Sequence, residues 1–287
     1  MIGQDFEEHR VHLRGVAYRM LGSLSEADDA VQEAWLRLDR TDAGDVRNLR
    51  AWLTTVVARI CLDMLRARSA RSEQPLDEAL NHVSAAYPVD PVDPEQEAVL
   101  ADSIGVALLV ILQTLSPAER LAFVLHDMFD LPFSEIAPMV GRSENTAAQL
   151  AARARRRVRG KPADATTDLV RQRRLVEAFL AAARDGEFDA LLAVLDDDVV
   201  LNVDAAAAGT PTTIRGAVAV STNARMFAAN ARFAEPALVD DAVGIIVAPA
   251  GRLALVLRFT TRGERITHIT IDADPQRLRR FKFAVLG

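Results

Sequence analysis

Residues 73–102 carry eight acids, no base and four prolines, Pro75, Pro88, Pro91 and Pro94. Proline fixes φ and removes a donor, and charges of one sign repel, so no packed element is expected to run through this stretch. Val89-Asp90-Pro91-Val92-Asp93-Pro94 almost repeats a tripeptide, the pattern of an extended, exposed linker. The chain must therefore fold as separate units on either side, which its 287 residues allow.

The charge elsewhere is partitioned in the same way. Residues 24–45 hold seven acids and two bases, and residues 47–71 hold six arginines and only Asp63 as an acid. Residues 142–161 hold seven bases and only Glu144 as an acid, so the overall charge of −6 hides strongly basic segments. Half of the residues are apolar, enough for packed cores. No run approaches the roughly 18 uncharged apolar residues of a membrane span, and the acidic start lacks the order of a secretory signal. Cys61 is the one cysteine, which excludes an internal disulfide and a cysteine-based zinc cluster. It falls on a helix, where a small packed residue is expected rather than a redox thiol. The chain reads as soluble, reduced and cytoplasmic.

Residues 5–70 read as helices. Ala27, Val31, Ala34, Trp35 and Leu38 form one helical stripe, and the opposite face carries Asp28, Asp29, Gln32 and Glu33. After a polar break at Thr41–Asn48, a second helix points Leu53, Val56, Val57, Ile60 and Met64 inward and leaves Arg59, Arg66 and Arg68 mostly outside. Beyond the linker, helical periodicity returns at Ile104–Leu115. Ser116-Pro117-Ala118-Glu119 is a helix start, with a hydroxyl cap, a first-turn proline and a carboxylate at the third position.

The sharpest local signal is Phe133–Arg159. A short helix (Phe133, Ile136, Ala137, Val140) meets a turn at Gly141-Arg142-Ser143, and Ser143 caps a second helix whose Ala147, Leu150, Ala154 and Val158 face inward. Glu144, Asn145, Thr146, Gln149 and Arg153 stay exposed, with Arg155, Arg156, Arg157 and Arg159 behind them. A helix–turn–helix sets the start of its second helix in the major groove, where arginine, asparagine and glutamine read base edges, while basic residues near its far end meet phosphates.

From about Asp168 the character changes again. A helix (Leu169, Val176, Phe179, Leu180, Ala183) ends near Asp185-Gly186, followed by β-rich runs at Val199–Leu201, Val243–Val247, Leu253–Phe259 and Ile266–Ile271. Gly251 and Gly263 mark turns. Helices followed by an antiparallel sheet predict an α+β domain.

Several segments together resemble a known family. Met20–Leu38 resembles the polymerase-binding helix of extracytoplasmic-function sigma factors, and Arg50–Arg59 resembles the promoter-melting helix that follows it. Leu115–Arg120 and the helix–turn–helix are similar to the second sigma domain in order and spacing. The resemblance covers residues 5–160. The last 120 residues resemble the SnoaL-like, NTF2-type cone appended to one subgroup, the mycobacterial sigma factor I and J type. Asp272-Ala273-Asp274-Pro275-Gln276-Arg277-Leu278 is similar to the Asn-Pro-Asp-Lys-Leu motif of some members.

The resemblance implies a fold of two all-α sigma domains, the second with the helix–turn–helix, followed by an α+β NTF2-like cone. Their expected bounds are 1–71, 104–162 and 168–287, with the linker at 72–103. Core RNA polymerase and promoter DNA are the implied partners. Asp28, Asp29, Gln32 and Glu33 would meet a basic helical clamp on core polymerase. Arg47, Asn48, Arg50 and Arg59 would hold the −10 element, with the loop at 45–49 as a pocket for flipped bases and Trp52 as a stacking group or a core residue. Arg142, Ser143, Glu144, Asn145, Thr146, Gln149, Arg153, Arg156 and Arg157 would contact the −35 element. The acidic linker would thread the RNA channel, shield the basic domains, or serve only as a spacer.

The cone itself is expected to regulate, with a small ligand as one possible occupant. Asp204 and His268 are its candidates for acid–base chemistry, but no paired constellation is legible, and the reading is of a non-enzyme without cofactor or metal. The runner-up is a stand-alone regulator that binds DNA and senses a ligand through the cone. The acidic helix discriminates the two, because a regulator acting without polymerase has no use for it.

Overall fold

The computed structural model describes residues 2–40, 48–72, 105–160 and 167–286. The expected linker thus lies almost wholly outside the described residues, as does most of the loop before Asn48. Two compact units divide the remainder: one holds 2–72 and 112–156, the other 105–111 and 157–286.

The helical unit begins with α1 (Ile2–Leu21), α2 (Leu24–Asp39) and α3 (Leu49–Ser72). Leu24, Ala27, Ala30, Val31, Ala34 and Leu38 of α2 are buried at helical spacing against Phe6, Leu13, Val16, Ala17 and Met20 of α1 and Leu53, Val57 and Cys61 of α3. Trp35 is half-buried with its ring 5.0 Å from that of Phe6. The spacing of apolar residues thus sets three packed helices, and burying several such side chains at ~1.5–3 kcal/mol each is the main drive to association.

Helix α4 (Val106–Thr114) leads into α5 (Pro117–Phe123) and a π-turn at Val124–Met128. The predicted start at Ser116 is a full capping box: the Ser116 hydroxyl accepts from the Glu119 amide, and Glu119 accepts from the Ser116 amide at 3.2 Å. Arg120 is 4 % exposed and donates to the Met20 carbonyl at 2.8 Å. Burial, with the Arg68 charge behind it, lowers its pKa to about 10. Helix α6 (Phe133–Val140) ends on Gly141, whose φ of 67° is left-handed, and α7 (Glu144–Arg159) follows after the three-residue turn.

The sheet unit is built from α8 (Thr167–Asp185), α9 (Phe188–Val194), β1 (Leu195–Val203), α10 (Ala205–Ala208), β2 (Thr212–Arg215), α11 (Ala217–Ala231), β3 (Ala234–Val239), β4 (Ala242–Val247), β5 (Leu255–Arg262), β6 (Arg265–Asp272), α12 (Pro275–Leu278) and β7 (Phe283–Ala284). The strand order is β2-β1-β6-β5-β4-β3-β7. Val176, Phe179 and Leu180 of α8, Leu191 of α9 and Val220 of α11 pack on the face formed by Leu201, Ile245, Leu257, Phe259 and Ile269. This is the α+β cone architecture expected, with one correction: β1 and β6 run parallel, so the sheet is mixed rather than antiparallel. The helix α11 between β2 and β3 carries the chain to the other end of the sheet, and the last long strand then returns beside the first. Gly263 turns the β5–β6 hairpin with φ 58°, while Gly251 closes a 3-10 turn between β4 and β5.

Residues 105–111 and 157–160 belong to this unit through specific bonds. The Glu235 carboxylate on β3 accepts from the Ala107 amide at 2.8 Å, and the Val285 amide donates to the Val158 carbonyl at 2.9 Å.

Candidate nucleic-acid and polymerase interfaces

The acidic face of α2 is set by its own periodicity. With Ala27, Ala30, Val31 and Ala34 buried, Asp28, Asp29 and Gln32 are exposed and Glu33 half-buried on the other side. Arg14 pairs with Asp28 at 2.7 Å, and Arg37 pairs with Glu33 at 3.0 Å. Exposed pairs of this kind are worth only about 0–1 kcal/mol, so a basic partner can take over these carboxylates at little cost. The four residues predicted to meet a partner therefore form one surface.

The predicted −10 residues are less uniform. Arg47 lies outside the described residues. Asn48 is exposed, and its side-chain oxygen accepts from the Ala51 amide at 3.1 Å, so it caps α3. Arg59 is exposed, and Trp52 is half-buried, between the two roles considered for it. Arg50 donates from Nη2 to His12 Nδ1 at 3.2 Å, and His12 Nε2 lies 3.0 Å from the Thr54 hydroxyl. Burial, then the positive charges of Arg50, His9 and Arg19, lower the His12 pKa to about 4. A neutral ring accepting from Arg50 through Nδ1 and donating to Thr54 fits this shift. No sequence signal pointed to His12, because its partners lie 38 and 42 residues away.

On α7, Asn145, Gln149, Arg153 and Arg156 fall on one exposed stripe with Arg142 at its start, backed by the buried Ala147, Leu150, Ala151, Ala154 and Val158. At 1.5 Å per residue the stripe runs about 16 Å from Asn145 to Arg156, a length suited to a groove. Glu144 and Arg157 are exposed as well. Ser143 and Thr146 are different. The Ser143 oxygen accepts from the Thr146 amide at 3.3 Å and lies 2.9 Å from the Thr146 hydroxyl, so both groups are engaged in the helix start. Arg153 is half-exposed, with Nε 3.5 Å from Glu119 Oε1, a contact loose enough to leave its guanidinium available. Arg155 turns away from the stripe and pairs with Asp127 at 2.5 Å.

In the sheet unit the two candidates for acid–base chemistry have bonding partners of another kind. Asp204 accepts from the amides of Ala207 at 2.9 Å, Ala273 at 2.7 Å and Asp274 at 2.9 Å, which ties α10 to the segment after β6. His268 is exposed, with the Thr267 hydroxyl 3.2 Å from its Nδ1. Asp272, fully buried, is held by Arg258 at 2.8 Å and Arg277 at 2.5 Å. A cleft of about 410 Å³ opens beside these groups, lined by Asn202, Asp204, Pro211, Thr270 and Arg277 among others. Cys61 is buried and its thiol pKa is raised by that burial, so it is the packed residue expected and not a thiolate. Among the described residues no three His, Cys, Asp or Glu side chains converge on a metal-sized space, and no helix is long and apolar enough to cross a membrane.

A chain with an acidic helix, a basic helix and a capped helix–turn–helix is a multi-contact transcription protein, and two family models agree. Sigma-70 region 2 matches residues 6–71, and Sigma-70, region 4 matches residues 105–158. Over 276 residues the chain is 36% identical to Probable ECF RNA polymerase sigma factor SigI of Mycobacterium tuberculosis, covering 94% of this chain and 92% of that one. It is 40% identical over 212 residues to ECF RNA polymerase sigma factor SigJ of the same organism, covering 74% of this chain and 67% of the other. The crystal structure of SigJ aligns over 97% of this chain and 98% of its own, at 28% identity and a TM-score of 0.45. The chain belongs to the extracytoplasmic-function sigma factors of RNA polymerase.

Proposed function

We propose that this protein directs core RNA polymerase to a specific set of promoters, with three surfaces sharing the work. Asp28, Asp29, Gln32 and Glu33 meet the polymerase. Asn48, Arg50 and Arg59, with Arg47, hold the −10 element. Arg142, Glu144, Asn145, Gln149, Arg153, Arg156 and Arg157 meet the −35 element, while Ser143 and Thr146 fix the start of the helix that reads it. The proposed modules are residues 1–71 and 104–162, followed by a regulatory domain at 168–287.

The observation that carries this reading is the stripe on α7, whose polar side chains face solvent on a helix capped at Ser143. Electrostatics supports the division of labour. Arginines at the far end of the helix supply sequence-independent phosphate attraction, and Asn145, Gln149 and Arg153 carry the side chains that pair with base edges. A stand-alone regulator gains no support from the relatives, which are polymerase subunits by name. A catalytic role for the last domain gains none from Asp204, whose carboxylate is spent on three backbone amides.

The test is run-off transcription with core polymerase on genomic fragments. Discrete start sites that require this chain support the proposal, and transcripts indifferent to its presence refute it.

A further inference from the structure

Arg50 differs from other arginines of α3 in what holds it. Arg68 pairs with Glu26 at 2.5 Å and Arg66 with Asp63 at 3.7 Å, so each of those charges faces a carboxylate. Arg50 is exposed in the first turn of the helix and forms no ion pair among the described residues. Its Nη2 donates instead to His12 Nδ1 at 3.2 Å.

The bonds close a ring. His12 Nε2 lies 3.0 Å from the Thr54 hydroxyl, and that hydroxyl donates to the Arg50 carbonyl at 2.8 Å. Thr54 is 1 % exposed and has a single hydroxyl hydrogen, already spent on that carbonyl, so it can only accept from Nε2. Nε2 therefore carries the ring hydrogen, and Nδ1 is left to accept from Arg50. Leu13 and Leu53, the sequence neighbours of His12 and Thr54, are both fully buried, which fixes the two helices beneath the ring of bonds.

The acceptor is the informative part. A carboxylate in the place of the imidazole would orient the guanidinium and also neutralise it. A neutral imidazole orients it and leaves its charge to be satisfied from outside. An arginine that docks on a phosphate surrenders rotamer freedom, and one already held has less to surrender. We propose that His12 is a positioning residue for promoter binding: through Nδ1 it holds the Arg50 guanidinium in place, its charge uncompensated, for a phosphate of the −10 element. The inference rests on Arg50 being a −10 contact and adds to that contact a residue of α1, 38 positions away.

The test is a double-mutant cycle on promoter binding by holoenzyme reconstituted with the full-length protein, on a promoter mapped by run-off transcription. Arg50→Ala removes one phosphate contact and should flatten the slope of log K against log salt by about 0.7 to 0.9. His12→Ala should lower affinity about 2- to 10-fold with the slope unchanged, because the arginine still reaches the phosphate once ordered. In the Arg50→Ala background, His12→Ala should cost nothing further. Two amides separate positioning from folding. His12→Asn sets an oxygen near the place of Nδ1 and should bind the promoter as wild type does. His12→Gln reaches toward Thr54 instead and should not. Additive losses in the cycle, beside a flattened slope in Arg50→Ala, overturn the role of His12 alone. Affinities that simply follow melting temperature across the Ala, Asn and Gln variants overturn it too, since that is what a structural role predicts. If Arg50→Ala changes neither affinity nor slope, the −10 assignment of Arg50 fails and takes the proposal with it, so the two failures are distinguishable.

Discussion

Replacing Arg153 with alanine isolates base reading from folding. The side chain is 52 % exposed, and its Nε lies 3.5 Å from Glu119 Oε1. An exposed pair at that distance contributes about 0–1 kcal/mol, so Arg153→Ala should move the melting temperature little. On DNA, a bidentate arginine contact discriminates by about 1–3 kcal/mol, roughly 5- to 150-fold in affinity for the preferred −35 sequence. The DNA effect should therefore exceed the folding effect. Competition binding of holoenzyme to promoters with single changes across the −35 element measures both the loss and its position. The variant should lose discrimination at one base pair and keep it elsewhere. Glu119→Gln serves as a control, since it weakens the hold on Arg153 while an amide oxygen can still accept from the Ser116 amide, and promoter affinity should be preserved. Unchanged affinity and unchanged selectivity in Arg153→Ala would refute the assigned groove contact.

Three further outcomes follow from the geometry. Because the folded state holds His12 neutral to about pH 4 while the unfolded state protonates near 6.5, stability should fall as pH drops through that window. His12→Gln should weaken that dependence in a series of thermal melts, and an identical profile would contradict the burial argument. Arg120→Ala removes a buried, charge-assisted bond to the Met20 carbonyl and should cost about 2 kcal/mol in urea unfolding, with Arg120→Met losing less because its stem still packs. Gly141→Ala should cost about 1 kcal/mol from its φ of 67° alone, since nothing lies within 4 Å of the added Cβ, and a larger loss would indicate a clash that the geometry does not contain.

The helical elements were legible because their signals are local. The Ser116 box, the Gly141 turn and the Ser143 cap are each written within four residues, and the α2 stripe within twelve. The sheet was legible in β1, β4, β5 and β6, whose apolar runs announce themselves. β2 is four residues of mixed polarity, and β3 contains Pro236 and two alanines, so neither carries a strand signal. The parallel β1–β6 pairing depends on a crossover that no periodicity records.

The surfaces followed the same rule. Residues on α2 and α7 were predicted from helical spacing, and the structure presents them together. What spacing could not reveal was which polar groups the fold itself consumes. Ser143 and Thr146 serve a helix start, Arg155 serves Asp127, and Asp204 serves three amides. His12 and Arg120 were missed because their partners are distant in sequence and their burial comes from tertiary packing.

The most direct measurement of the account is capture of purified core RNA polymerase by the full-length protein, followed by promoter binding with and without it. Core binding that weakens when Asp28, Asp29 and Glu33 are neutralised together, and promoter selectivity that appears only in the complex, is the predicted result. A chain that ignores core polymerase but binds its target DNA tightly alone would contradict it.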